Sequence, residues 1–191
     1  TTGYNNLAIG YRSLEQNTLG DNNLGIGHSS LTSNTYGYNN SAIGNSSMNS
    51  NTTGYNNVAL GNLALNKNTT GYNNVALGDQ ALGNNQQGNS NIAIGNKTLA
   101  NPSSTSSYNI ALGEGTMSQN MAGCYNIGVG IGTLANVLDP NANHNVAIGN
   151  QSLYGLTTGS NNTAIGKNAL SDNTIFSNST GLGNGAQVDG S

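Results

Sequence analysis

The chain is poor in almost everything on which an enzyme or an ordinary core depends. Tryptophan is absent, phenylalanine and cysteine occur once each, proline twice, and charged residues fill 6% of 191 positions, against roughly a quarter in an average domain. With only Arg12, Lys67, Lys97 and Lys167 as cations, no row of positive charge can release counterions from a phosphate backbone, so nucleic acid is not an expected partner. Cys124 has no second cysteine to pair with. No apolar run reaches the roughly 18 residues of a bilayer span and none reads as a signal peptide, so this segment is not expected to insert in a membrane. His28 and His144 lack acidic neighbours at ligand spacing, and no metal or other cofactor is expected.

In place of these, asparagine, glycine, serine and threonine are arranged around a short aliphatic phrase. Residues 51–82 state it twice, NTTGYNNVALGNLALNK followed by NTTGYNNVALGDQAL. Anchored on the glycine that closes N-N-V-A-L-G, it continues in both directions through Gly10, Gly27, Gly44, Gly61, Gly78, Gly95, Gly113, Gly130, Gly149, Gly166 and Gly183. The spacing is 17 residues except for 18 before Gly113 and 19 before Gly149. A unit this short cannot bury a core alone and must stack on its neighbours, so the whole of 1–191 reads as one repeat domain. Because it opens inside a phrase, at T-T-G-Y-N-N, it is expected to be a section of a longer fibrous protein.

Read in register, the residue before each anchor glycine is always Ile, Leu or Val, and the residue two earlier is mostly so. Alternate strand positions share a face, so these columns point the same way, and they are expected to form the core. Between them stands only alanine or glycine: Ala8, Gly25, Ala42, Ala59, Ala76, Ala93, Ala111, Gly128, Ala147, Ala164 and Gly181. A freely exposed position would tolerate Thr, Ser or Lys, so this column implies a close surface and marks Ala8, Ala42, Ala59, Ala76, Ala93, Ala111, Ala147 and Ala164 as the expected seam with neighbouring chains.

Four residues after the anchor a third apolar column, Leu14 to Leu170, predicts a second short strand. Asparagines four and ten residues before the anchor, and glycine seven before it, predict two turns, with the amides stacking from coil to coil and the glycines at positive φ. Each phrase is thus one coil of an all-β, parallel β-solenoid of about eleven 17-residue coils. The longer spacings fall at 100–108 and 135–144, which carry Pro102 and Pro140 and read as surface loops.

The phrase N-x-A-[IL]-G-x-x-[AS]-L, carried by Asn57, Val58, Ala59, Leu60, Gly61, Ala64 and Leu65 and repeated through essentially the whole chain, resembles the head repeats of YadA-like trimeric autotransporter adhesins and related repeats of bacteriophage tail fibres. The resemblance implies a left-handed parallel β-roll, a homotrimer, and attachment to a cell-surface glycan or protein receptor from an extracellular position on a bacterium or a virion. The repeat here is longer than the roughly fourteen residues of the adhesin heads.

Tyr38, Tyr55 and Tyr72 occupy one column, six before the anchor, with Tyr4 in register beyond Asp21. They form a candidate glycan-binding surface, set against the plainer role of covering a turn and packing on one another. Thr1, Thr18, Thr35, Thr52 and Thr69 form a second array that could order water, interrupted at Gln86, Ser104, Met121 and Pro140. A monomeric ice-binding or glycan-binding solenoid is therefore the competing function. The seven carboxylates fall in different columns without a glycosidase pair, and no serine has a base beside it. No catalytic residue is expected.

Overall fold

The computed structural model describes residues 3–102, 105–119, 123–139 and 141–188. Eleven three-residue strands follow one another: β1 (Leu7–Ile9), β2 (Leu24–Ile26), β3 (Ser41–Ile43), β4 (Val58–Leu60), β5 (Val75–Leu77), β6 (Ile92–Ile94), β7 (Ile110–Leu112), β8 (Ile127–Val129), β9 (Val146–Ile148), β10 (Thr163–Ile165) and β11 (Thr180–Leu182). Each pairs in parallel with the next to make a single sheet in chain order. Leu7 faces Leu24, Ser41 faces Val58 and Val75 faces Ile92. Consecutive parallel neighbours require a full circuit between strands, so the chain is a β-solenoid of about ten turns, and every strand ends one residue before an anchor glycine. The two longer circuits leave the register intact, with Ile92 opposite Ile110 and Ile127 opposite Val146.

The inside of the coil is the reverse of the expected one. Ala42, Ala59, Ala76, Ala93, Ala111, Ala147 and Ala164 are at most 1% exposed and belong to one core with the Leu14 to Leu170 column. Ile9, Leu60, Ile94 and Ile165 lie on the outer face, 40 to 52% exposed. The alanines cannot be a seam between chains, because their methyl groups already meet leucines of their own chain. A Cβ added at Gly25 would lie 3.4 Å from the Leu14 Cγ, and one at Gly128 would lie 3.1 Å from the Met117 Cε. Ala8, in the first coil, is exposed, but it occupies the same inward position of its strand. Filling this lumen with Ala76→Leu should overpack it by about 1–3 kcal/mol, a loss that a denaturant titration would register as a lower midpoint at unchanged slope.

The second strand does not form. The segment after each anchor is a run of turns in which the second and fourth residues take left-handed backbone: Arg12 at φ 58° and Leu14 at 51°, Leu63 at 56° and Leu65 at 49°. Left-handed backbone costs a non-glycine residue about 1–2 kcal/mol. Full burial of a leucine returns about 1.5–3 kcal/mol, and Leu31, Leu65, Leu82 and Leu99 are completely buried. The same backbone keeps its hydrogen bonds between coils, since the Leu14 N–H donates to the Ser30 carbonyl (3.0 Å) and the Gln16 N–H to the Thr32 carbonyl (2.9 Å). Coils are therefore tied together around their perimeter and not only through the sheet.

Asparagine closes the turns as expected. The Asn57 backbone N–H and Nδ2 both donate to the Asn40 Oδ1 (3.1 Å each), Nδ2 also reaches the Gly71 carbonyl (2.9 Å), and the Asn57 Oδ1 accepts from the N–H and Nδ2 of Asn74. A second ladder runs from Asn85 down to Asn17 through Nδ2 to Oδ1 bonds of 2.7–3.0 Å. It stops where the first long circuit begins, and the buried Asn85 Oδ1 accepts no hydrogen bond there. The glycines seven before the anchor correct another expectation. Gly54 and Gly71 are not left-handed; a Cβ at Gly54 would strike the Asn51 Oδ1 and the Gly71 carbonyl. Close approach of the next coil, not backbone sign, excludes a side chain at these two positions, whereas Gly159 in the same column does take the expected positive φ, at 112°.

Candidate interaction surfaces

The largest unsatisfied feature follows from the inverted core. Nineteen of the twenty-two outward strand positions are Leu, Ile or Val, interrupted only by Ser41, Thr163 and Thr180. Stacked at the spacing of parallel strands, they form an apolar stripe about 50 Å long. Val58, Leu60 and Ile148 on it are 39 to 48% exposed, and the others in the interior coils are mostly half-buried against one another. Monomeric proteins rarely expose a contiguous apolar patch beyond a few hundred Å². The stripe carries no charged residue along its length.

The expected tyrosine column is a stack. Tyr38 and Tyr55 lie with ring centroids 4.9 Å apart and planes 5° from parallel, and Tyr55 and Tyr72 at 4.8 Å and 3°. Tyr4 does not join them; Asp21 stands between, and its Oδ1 accepts the Tyr4 backbone N–H (2.6 Å). Further along the rod a second ladder, Tyr108, Tyr125 and His144, repeats the geometry at 4.9 and 5.0 Å. The column reading missed it because these rings sit one position later, at φ 59–60°, where Asn5, Asn22, Asn39, Asn56 and Asn73 stand in the other coils. That one-residue shift was visible in the sequence as Tyr108 and Tyr125 following, rather than occupying, the column of Ser107 and Cys124.

In both ladders the ring faces are turned onto one another, so the edges and hydroxyls meet solvent. A sugar ring packs on an aromatic face, and a stack offers only its end faces. Within the stack the Tyr55 hydroxyl is raised above the ordinary 10.0, first by desolvation and then by the neighbouring Tyr72 and Tyr38 phenolates. A phenol whose folded pKa is raised stabilises the fold fully below the unfolded value and ceases to as pH rises through the folded one. An alkaline absorbance titration should therefore show Tyr55 ionising above the ordinary 10.0, and Tyr38→Ala with Tyr72→Ala, which remove both the covering rings and the neighbouring phenolates, should lower it.

The threonine array is engaged with its own backbone. Thr18, Thr35, Thr52 and Thr69 donate their hydroxyls to the carbonyls of Thr35, Thr52, Thr69 and Gln86 at 2.9–3.1 Å. Their protons are thus committed within the rod. Thr1, Ser104, Met121 and Pro140 lie outside the described residues. Among the described residues no three metal-ligating side chains converge, and no helix is long and apolar enough to cross a membrane. No protein-family model, curated protein or solved structure matches this chain.

Proposed function

We propose that the chain is a non-enzymatic structural and adhesive segment of a homotrimeric fibre, exposed on a bacterial cell or a virion and serving attachment to another cell surface. The observation that carries this reading is the uncharged aliphatic stripe on the outer face of the sheet. Three parallel copies turned inward would bury it along its full length, as the resemblance to adhesin heads and tail fibres implies. The seam is then formed by Leu7, Ile9, Val58, Leu60, Val75, Leu77 and their equivalents in place of the alanine column. Every coil contributes at least one aliphatic side chain to such an interface, which suits a rod that must carry load or hold a tip away from a surface.

Folding coupled to association obeys mass action. The midpoint of thermal unfolding should rise with chain concentration across the micromolar range, and a midpoint independent of concentration would contradict the trimer. The competing monomeric ice-binding solenoid predicts that independence together with thermal hysteresis, but the committed threonine hydroxyls weigh against it.

A further inference from the structure

A groove of about 520 Å³ crosses coils four to seven on the turn segment. That segment faces the sheet across the core, so the groove opens away from the aliphatic stripe. Its floor is the residue five after the anchor, which shrinks there to Gly83, Ala100 and Ser118, whereas Asn49 and Asn66 hold the same place in the two preceding coils. One wall carries Gln80 and Lys97, the other Lys67, Asn84 and Asn101, and Glu114 lies at one end. Two of the chain's four cations thus converge on one groove. Among the described residues the only ion pair is between Arg12 and Glu15, so neither lysine is neutralised.

We propose that this groove binds a short carboxylated oligosaccharide, with Lys67 and Lys97 receiving the carboxylate. The volume lies within the range of small-ligand sites, and four coils at the strand spacing give a length of about 14 Å, suited to a few linked sugars. Side-chain amides both donate and accept, as sugar hydroxyls do, and they recur coil by coil as a polymer repeats; the Asn84 Nδ2 donates to the Asn101 Oδ1 (2.5 Å), fixing two of them along one wall. Among the described residues no aromatic ring lines the groove, which disfavours a nucleobase or another flat ligand. Glu114 repels a carboxylate from its own end and can accept a hydroxyl there, so the acidic sugar lies toward the lysines.

This ligand class rests on the adhesive reading and deepens it. The test is calorimetric titration of the full chain with oligogalacturonate, with a sulfated oligosaccharide of equal length and with a neutral maltooligosaccharide. Oligogalacturonate is expected to bind best, and Lys67→Gln with Lys97→Gln to remove its advantage over the neutral sugar. Ala100→Asn with Ser118→Asn should weaken binding at least tenfold by refilling the floor. That pair is compatible with the coil, since the Asn66 Nδ2 donates to the Ser46 carbonyl (2.8 Å) from the equivalent place, and an unchanged melting curve would show that folding is intact. Absence of oligogalacturonate binding, equal binding by the refilled variant, or preference for the neutral or sulfated sugar would each overturn the proposal. Light scattering on the same samples separates the two readings: a trimer that binds nothing removes the groove alone, and a monomer that binds removes the fibre alone.

Discussion

Asn57→Ala is expected to destabilise the rod by about 3 kcal/mol. Asn57 is fully buried and its amide joins three consecutive coils, with Nδ2 donating to the Asn40 Oδ1 of the preceding coil and to the Gly71 carbonyl of the following one, where the Asn74 N–H and Nδ2 donate to its Oδ1. Alanine removes the amide and leaves the buried Asn74 N–H without its acceptor, at a desolvation cost of about 1–3 kcal/mol. It also removes the bonds to the Gly71 carbonyl and the Asn40 Oδ1, although the Gly71 carbonyl keeps the Asn68 Nδ2 (3.0 Å). The comparison is Asn56→Gly in the adjacent exposed ladder, where Nδ2 donates to the Asn73 Oδ1 (3.2 Å) within reach of water and glycine accepts the φ of 54° without strain. Denaturant titrations should show a large loss for position 57 and a small one for position 56. Equal losses would mean that the buried ladder does not tie the coils together.

Leu60→Asp with Ile94→Asp is expected to abolish association while leaving the coil folded. Both side chains are partly exposed on a single chain, at 48 and 40%, so a carboxylate placed there stays hydrated while the chain is alone. Between copies it would be buried without a partner, which costs about 3–5 kcal/mol for each charge. The two positions lie two coils apart, which limits repulsion between the new charges within one chain. The variant should retain the β-sheet circular dichroism of the native chain and elute as a monomer. A variant that still assembles would show that the stripe is not the interface, and one that unfolds completely would show that the outer face had been core after all.

The architecture was readable because it depends on periodicity. The anchor glycines placed every strand to the residue, and at Gly61 a Cβ would collide with the Gly78 carbonyl of the next coil while the backbone sits at φ 139°. Which side of the strand faces inward was not readable from alternation, which separates two faces without saying which one is enclosed. The small column did report a close surface, but that surface is Leu14 and its equivalents across the lumen of the same chain. Pairing the columns by size would have shown this, since a leucine inside a narrow coil leaves room opposite for no more than a methyl group. The turn segment was mistaken for a strand because an isolated apolar column carries no record of backbone sign. Nothing in the letters of Leu65 announces φ 49°. The groove could not be seen at all before the coils were stacked, because its floor is one column that turns small in four successive copies, Gly83, Ala100, Ser118 and Ala135, the first three of which line it.

The most direct test is the molar mass of the chain by light scattering at low micromolar concentration. Three chains of 19.4 kDa, about 58 kDa in all, are predicted for copies that cover one another's aliphatic faces. A mass near 19.4 kDa for a fully folded sample would mean that the stripe stands bare in water and would contradict the account.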